Sequence, residues 1–274
     1  MTTIAMRIPE QNTMSWIDAV ADMQEVRNID VTGNMLDAGI GKDADRFGID
    51  IACVREILPP QETRFLSETD RRTRENMVTT VRRRCDRCKK AGAKTVSLWL
   101  GLERVRSEAA MEVHIAFLRQ LVSPVSNNGL TFALPVRYPV EAPKSKEWDL
   151  ASNIVHDVMH PAFRLGVHLF PDEVSDRDDS SAIIRRVHFQ LSKICIHYEP
   201  MFGEEPDESL LCKWGRALRW HGFRGVVVLC PREKNEESIA KVCRKADSYA
   251  ATLRRALETT GEADTADDAA TFGK

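Results

Sequence analysis

The feature that most constrains the fold of this sequence is a regular alternation of short apolar runs with longer segments of helical spacing. Eight runs have the length and composition of strands. They are Ile4–Ile8, Ile29–Thr32, Asp50–Leu58, Lys94–Gly101, Leu130–Tyr138, Phe163–Phe170, Lys193–Pro200 and Gly225–Cys230. Strands that alternate with helices predict a parallel sheet.

The intervening segments predict the helices of this sheet. They cover Ser15–Arg27, Ser67–Ala91, Glu103–Val122, Trp148–Met159, Ser180–Leu191, Glu208–His221 and Glu236–Leu257, with only a brief helix at Asp43–Phe47 in the second unit. Eight such units match a closed barrel better than an open sheet, so the predicted fold is α/β, a single-domain (β/α)8 TIM barrel over residues 1–258. Pro135 lies inside the fifth strand and predicts a bulge or an unpaired donor position. The tail, 259–274, lacks apolar periodicity and is expected to be disordered.

Composition excludes several classes of partner. The 274 residues carry a formal net charge of -2, which gives no support to nucleic-acid binding. No run approaches the roughly 18 apolar residues of a membrane span, and the N-terminus lacks the apolar segment of a signal peptide. The seven cysteines are scattered and odd in number, so reduced thiols are expected. We therefore expect a soluble cytoplasmic protein without nucleic-acid or membrane partners.

The seventh strand, KICIHYEP, marks the expected position of the site. Its apolar centre is typical of a strand buried on both faces, and it places His197 and Glu199 at its C-terminal end. Active sites of such barrels lie at that end of the strands. A single histidine there can also be only a hydrogen-bonded residue beneath a loop. No glycine-rich dinucleotide or P-loop motif follows any strand.

Three stretches carry a resemblance to a known family. RRTRENMVTTVRRRCDRCKKAGAKTVSLWLG is similar to a long third helix followed by the fourth strand, KICIHYEP to a strand that ends in His, and WHGFRGVVVLCPR to the last strand. In this order they resemble the xylose isomerase-like TIM barrels over about Asp50 to Ala256. That superfamily includes sugar isomerases, sugar-phosphate epimerases and family 2 AP endonucleases.

The resemblance implies a divalent metal bound by a Glu ending strand five, an Asp and a His around strand six, the His of strand seven and a Glu ending strand eight. At these places this sequence has Pro135, His168, Pro171, His197 and Cys230, so only the His of strand seven is retained. Because Mg²⁺ and Mn²⁺ prefer several oxygen ligands, metal-assisted isomerisation by the family's route is not expected here.

Two interpretations of the remaining residues stay open. His168, His197 and Cys230 end three successive strands and could form a His₂Cys zinc site with an open fourth position. Alternatively no cofactor is bound, Cys230 is a small buried side chain and the histidines bond to nearby carboxylates.

A second hypothesis concerns basic residues at strand ends. The basic side chains expected there are Arg7, Arg55, Arg137, His168, His197 and Arg232, which could together receive a phosphate or a carboxylate. The alternative is that Glu10, Glu56, Glu141, Glu199 and the acidic loop 172–179 neutralise them in surface pairs. Trp99, near the end of strand four, is placed to stack on a sugar ring or to fill the barrel.

Two other motifs indicate structure rather than chemistry. Cys85 and Cys88 have metal-like spacing, but both fall on the apolar stripe of their helix and no second pair completes a site. The basic run Arg82–Lys90 contains no aromatic residues and predicts a solvated helix face.

Two functions follow from these observations. In the first, the protein is a sugar or sugar-phosphate isomerase or epimerase in which His197 and one of Glu56, Glu141 or Glu199 move a proton next to a carbonyl, with arginines or zinc holding the oxygen. In the second, the barrel has lost the metal site and acts as a non-catalytic protein that binds a small anion or sugar, or serves assembly. Both predict a carbohydrate or anionic small molecule as ligand.

Overall fold

A computed structural model describes residues 1–137, 146–170, 184, 188–199, 206–232 and 239–259. Eight parallel strands form a closed barrel in which each strand pairs with the next and the last pairs with the first. They are β1 Thr3–Arg7, β2 Asn28–Thr32, β3 Asp50–Arg55, β4 Thr95–Ser97, β5 Thr131–Arg137, β6 Phe163–Leu169, β7 Leu191–Tyr198 and β8 Val226–Pro231. The predicted (β/α)8 barrel is thereby confirmed.

Helices surround the barrel. The described ones are α1 Thr13–Ala21, α2 Gly33–Asp37, α3 Ile40–Arg46, α4 Pro60–Thr63, α5 Arg71–Lys90, α6 Glu108–Asn127, α7 Lys146–Val158, α8 Glu208–Trp220 and α9 Ile239–Glu258. Cys85 and Cys88 are both fully buried on α5, as their position on the apolar stripe predicts. Along the described chain, no helix combines the length and the apolar character needed to cross a bilayer.

Several predicted boundaries are wrong. The second unit contains two helices, α2 and α3, because Thr32 caps the first of them by accepting a hydrogen bond from the Met35 N–H, a signal that the prediction did not use. Strand β7 begins at Leu191, which the prediction placed at the end of a helix. Strand β4 ends at Ser97, whose carbonyl accepts a hydrogen bond from the Ile57 N–H (3.0 Å), so Trp99 lies beyond the strand.

Prolines bear on two further predictions. The register between β5 and β6 runs without a shift through the pair Pro135 and Gly166, so of the two alternatives predicted at Pro135 the bulge is absent, and a strand position without a backbone donor is what remains, because proline has no N–H. Helix α6 continues to Asn127 although Pro124 lies in its last turn, whereas the predicted end was Val122. Beyond Thr259, the tail that is predicted to be disordered lies outside the described residues, and its disorder stays a prediction. Most of the predicted helix Ser180–Leu191 also lies outside them.

The barrel interior is unusual in composition. Alternate residues of each strand face inward. Residues of β1, β3, β7 and β8 form a small separate cluster: Ala5, Ala52, Cys53, Cys195, Val226, Val228 and Cys230. The larger residues between them pack against the helices. Bulky branched residues usually fill such barrels. In this barrel the residues of the cluster are small, and the charged side chains of Asp30 and Lys193 are buried in the same interior.

An ion network crosses that interior. Asp30 of β2 is completely buried, and its carboxylate contacts Lys193 Nζ of β7 at 3.0 Å and Arg7 Nε of β1 at 2.9 Å. Arg55 of β3 approaches the same carboxylate at 3.8 Å. Gly166 lies beside the lysine in the next strand, and a Cβ at this position would come within 3.2 Å of Ala133 Cβ, which is closer than ordinary contact. One carboxylate therefore holds three cations from three strands.

This network predicts unequal costs for its members. Replacing Asp30 with Asn should lower the free energy of unfolding by about 3–5 kcal/mol, because three buried cations lose their shared partner. Replacing Lys193 with Met should cost less, since Asp30 stays paired with Arg7 and the new side chain occupies similar space. Urea denaturation at neutral pH measures both.

The exposed Lys90, on the outer helix α5, provides the control. Lys90→Met should change the free energy of unfolding by less than about 0.5 kcal/mol. A larger loss for Lys193→Met than for Asp30→Asn would contradict the central position of the carboxylate.

Candidate functional site

A cavity of about 480 Å³ lies at the C-terminal mouth of the barrel. This volume falls in the range of small-molecule sites. Arg7, Arg55, Glu56, Arg64, Trp99 and His168 line it. Four of the six, Arg7, Arg55, Trp99 and His168, were predicted to bind substrate, and Glu56 was predicted as a catalytic carboxylate.

Glu56 is held in a strained backbone conformation at the edge of this cavity. Its φ is 49°, in the left-handed region that residues other than glycine rarely adopt. The next residue is anchored on both sides: Ile57 N–H donates to the Ser97 carbonyl (3.0 Å), and Ile57 carbonyl accepts from Arg84 Nη1 (2.6 Å). A Cβ on Gly33 would come within 2.9 Å of the Glu56 carbonyl, so glycine is required there. The surrounding structure therefore fixes where the Glu56 side chain begins.

Arg84 connects the peptide after Glu56 to the outer helix α5. It is buried on α5 and forms an ion pair with Asp37 (2.8 Å), besides its bond to Ile57. Because one guanidinium bonds to both α2 and the loop after β3, the position of Glu56 depends on a contact made outside the barrel.

Trp99 and Arg64 are brought together by a second required glycine. Gly101 has φ 57°, and a Cβ there would lie 2.9 Å from the Arg64 carbonyl and 3.3 Å from the Trp99 ring. The close approach of these two segments places an indole and a guanidinium on the same wall of the cavity.

The floor of the cavity is set by the ion network. Arg55 donates to the carbonyls of Asp30 (2.6 Å) and Ile8 (2.8 Å), which secures its guanidinium across three strand ends. Burial by itself would raise the pKa of Asp30, but Lys193, Arg7 and Arg55 outweigh it and hold that pKa below its ordinary value. Burial lowers the pKa of Arg55, although the guanidinium stays charged at neutral pH.

The other half of the mouth is filled by stacked rings. His197 lies parallel to Phe170, with ring centroids 4.2 Å apart and 9° between the planes. Its Nε2 is 2.9 Å from Nδ1 of His168, so the two histidines share a hydrogen bond. The Arg137 guanidinium lies 4.5 Å from the Phe170 ring centroid. His168 faces the cavity, whereas His197 is not among its lining residues.

The environment of His197 makes it a weak base. Burial, with His168, Arg7 and Arg232 nearby, lowers the pKa of His197 to about 3. The imidazole is therefore neutral at physiological pH and has little capacity to accept a proton. Its role as a catalytic base stays a prediction, and this environment does not favour it.

The residues present do not fit a metal centre. Among the described residues, no three His, Cys, Asp or Glu side chains are placed to share one cation. Of the proposed zinc ligands, His168 and His197 bond to each other, and the Cys230 thiol donates to the Val228 carbonyl (3.5 Å). Pro135 lines the cavity where the resemblance implies a Glu. Pro171, the counterpart of another family ligand, lies outside the described residues.

Cys195 has a more polar setting than the sequence indicated. It is fully buried, and its sulfur accepts a hydrogen bond from Arg7 Nη2 (3.4 Å). Burial would raise the pKa of Cys195, but the Cys230 thiol, His168, Lys193 and Arg7 together lower it well below its ordinary value. The Cys230 thiol has its pKa raised, chiefly by burial. A thiolate at Cys195 would thus be an internal partner for Arg7.

The other predicted site residues lie away from the cavity or outside the described part. Glu199 forms an ion pair with Arg232 (3.4 Å), and neither lines the cavity. Glu141 belongs to the undescribed residues. Their roles in catalysis or substrate binding stay predictions.

Sequence reasoning missed Asp30, Lys193 and Arg64. The first two carried a usable signal, because each is a charged residue in an otherwise apolar buried strand, where only an internal partner makes it tolerable. Arg64 follows a short helix after Pro59 and Pro60, and no pattern in the sequence marks it.

The barrel has the fold of the xylose isomerase-like TIM barrels, so the resemblance read from the sequence is confirmed as a likeness of fold. No family model matches the sequence. The curated proteins contain no match either.

Individual solved structures align over nearly the whole chain. D-psicose 3-epimerase from Clostridium cellulolyticum H10, solved with D-tagatose, aligns over 94% of this chain and 100% of its own, with a TM-score of 0.70 and 17% identity. The 3-keto-D-glucoside 4-epimerase of E. coli aligns over 93% and 99%, with a TM-score of 0.68 and 13% identity. A family 2 AP endonuclease from Brucella melitensis aligns over 89% and 99%, with a TM-score of 0.65 and 15% identity.

The pKa of His197 predicts a pH dependence of stability. In the unfolded chain a histidine titrates near about 6.5, whereas His197 in the fold titrates at about 3. Between these values the unfolded state binds a proton that the folded state does not, so the free energy of unfolding should fall as the pH is lowered through this range. His197→Phe preserves a stacked ring but cannot be protonated, and should reduce the slope by up to about 1.4 kcal/mol per pH unit.

Urea denaturation from about pH 7 to about pH 4 measures that slope. The exposed His156 on α7 is the matched control, and His156→Gln should leave the slope unchanged. An equal slope for His197→Phe and the wild type would show that His197 is not held neutral.

Proposed function

We propose that the protein is a sugar or sugar-phosphate isomerase or epimerase that acts without the metal site of the family it resembles. The observation that carries this proposal is the strained Glu56, fixed at the edge of a cavity that also presents arginines and an indole. Backbone strain clusters at active sites because it pre-positions a reacting group. The sugar epimerases among the structural neighbours support the choice of a carbohydrate ligand.

Glu56 acts as the base in this proposal. A carboxylate can remove the proton from the carbon next to a sugar carbonyl, and the developing enediolate then needs positive charge close to its oxygen. Arg7 lines the same cavity and supplies that charge. Trp99 packs against the apolar face of the ring and orients it.

His168 is the second proton-transferring group. It lines the cavity from β6, three strands away from the β3 end that carries Glu56. Epimerisation requires removal of a proton from one face of a carbon and its delivery to the other, and an imidazole across the cavity is suited to the delivery. His197 supports His168 through their shared hydrogen bond. Catalysis therefore rests on Glu56 and His168, rather than on His197 and Glu199.

A non-catalytic binding protein is the second candidate. The observation that favours it is the filled half of the mouth, where Phe170 and His197 occupy the strand ends at which the resemblance implies a metal. Such a barrel retains the ligand cavity and lacks the means to move protons.

Solvent exchange separates the two candidates. The protein is treated with a chelator and incubated in D₂O with ketohexoses, ketopentoses and their phosphates. Its substrate should then incorporate deuterium at the carbon next to the carbonyl, and proton NMR measures this exchange. Glu56→Gln should slow this exchange by about 10²–10⁴-fold, because the base is removed while the shape of the cavity is kept.

The control is Glu62, an exposed carboxylate on α4 that does not line the cavity. Glu62→Gln should exchange at the wild-type rate. Binding of a sugar without exchange by the wild type would favour the non-catalytic candidate, and exchange that stops on chelation would contradict the metal-independent route.

A further inference from the structure

The cavity carries more positive charge than its described surroundings neutralise. Its charged lining consists of Arg7, Arg55 and Arg64 with one carboxylate, Glu56. Beneath the floor, the charges of Asp30 and Lys193 cancel each other across their 3.0 Å contact. Two positive charges therefore remain among the groups that line the cavity and its floor.

The hydrogen bonds of Arg55 do not remove this excess. Both of its short bonds go to main-chain carbonyls, which are neutral acceptors. The Asp30 carboxylate, 3.8 Å away, is already bonded to Arg7 and Lys193. Cationic groups held away from water are costly unless a negative partner reaches them.

Arg64 is the more accessible of these cations. It is exposed, and within the described part of the chain its guanidinium has neither a hydrogen bond nor an ion pair. Its Cζ lies 5.8 Å from the centroid of the Phe65 ring. Its donors are therefore available to a ligand in the cavity. A guanidinium binds an oxyanion through two parallel N–H donors, and such charge-assisted bonds are stronger than bonds to a neutral acceptor.

A thiolate at Cys195 can compensate only part of the excess. It lies against Arg7 at 3.4 Å, beneath the cavity, and it is not among the lining residues. If the thiolate neutralises Arg7, Arg55 and Arg64 still face one carboxylate in the cavity lining, Glu56.

We propose that the cavity binds an oxyanion, the phosphate or carboxylate of its carbohydrate ligand, between Arg55 and Arg64, with the sugar ring against Trp99. This assignment rests on the proposed carbohydrate function and adds the charge of the ligand and the place of its anionic group. Phosphate and carboxylate share the planar pair of oxygens that a guanidinium recognises.

Inorganic phosphate is the direct probe. Calorimetric titration into the full chain should give saturable binding that weakens as salt is raised. Arg64→Gln should reduce the affinity by about tenfold or more, because it removes a charged donor at the anion. Since Arg64 is exposed, this variant should unfold at the wild-type urea concentration. The matched control is Arg82→Gln, an exposed arginine on the outer helix α5, which should bind phosphate like the wild type.

Three further ligands identify the source of the anion. D-fructose, D-fructose 6-phosphate and D-galacturonate are compared by the same titration with the wild type and Arg64→Gln. The anion site is supported if the wild type binds the sugar phosphate or the sugar acid more tightly than the neutral sugar and if Arg64→Gln loses this preference. The ligand that binds more tightly then identifies the anionic group as a phosphate or a carboxylate. Equal affinities for all three, or an unchanged phosphate affinity in Arg64→Gln, overturn it.

These outcomes differ from those of the exchange experiment. Phosphate binding that depends on Arg64, without deuterium exchange, supports the anion site and contradicts the isomerase. Exchange on neutral sugars with no effect of Arg64→Gln supports the isomerase and contradicts the anion site.

Discussion

The contact between Asp30 and its three cations is the interaction on which the rest of this structure depends. It joins β1, β2, β3 and β7 through the interior of the barrel, where other proteins of this architecture usually place branched apolar side chains. Small residues accompany it, and Gly166 and Ala133 are so close that a Cβ on the glycine would lie 3.2 Å from that of the alanine. The interior is therefore both the core of the fold and the electrostatic floor of the site.

The same interaction explains why the mouth has two unlike halves. Over β1 to β3 the side chains of Arg7 and Arg55 point toward Asp30, and the open cavity above them extends to Pro135 and His168. Over β5 to β8 the strand ends carry Phe170, His197 and His168, which stack and hydrogen bond with one another. A ligand that enters the mouth meets charge on one side and closely packed rings on the other.

The fold was predictable from the sequence to a large extent, because eight apolar runs with helical segments between them admit few arrangements. Predicted boundaries were wrong where a local cap or a proline decided the outcome, as at Thr32 and Pro124. The site was predictable only in part. The strand ends were correctly associated with Arg7, Arg55 and His168, since the parallel barrel brings such positions to one rim.

The remaining features of the site depend on contacts between residues distant in the sequence. Asp30 and Lys193 are 163 positions apart and meet only when the barrel closes. Glu56 and the peptide after it are held by contacts with Gly33, Ser97 and Arg84, none of which is adjacent to Glu56 in sequence. The pairing of His168 with His197, rather than with a shared metal, is a matter of side-chain direction that residue spacing does not determine.

Arg84 extends the influence of the outer surface into the mouth. Its guanidinium is bonded to the peptide next to Glu56 and to Asp37, and Asp37 also forms an ion pair with Arg87 on the exposed side of α5. These contacts join α5 to the peptide next to Glu56 without passing through the strands. Substitutions on the exposed side of α5 can therefore change the position of Glu56 while the eight strands stay the same.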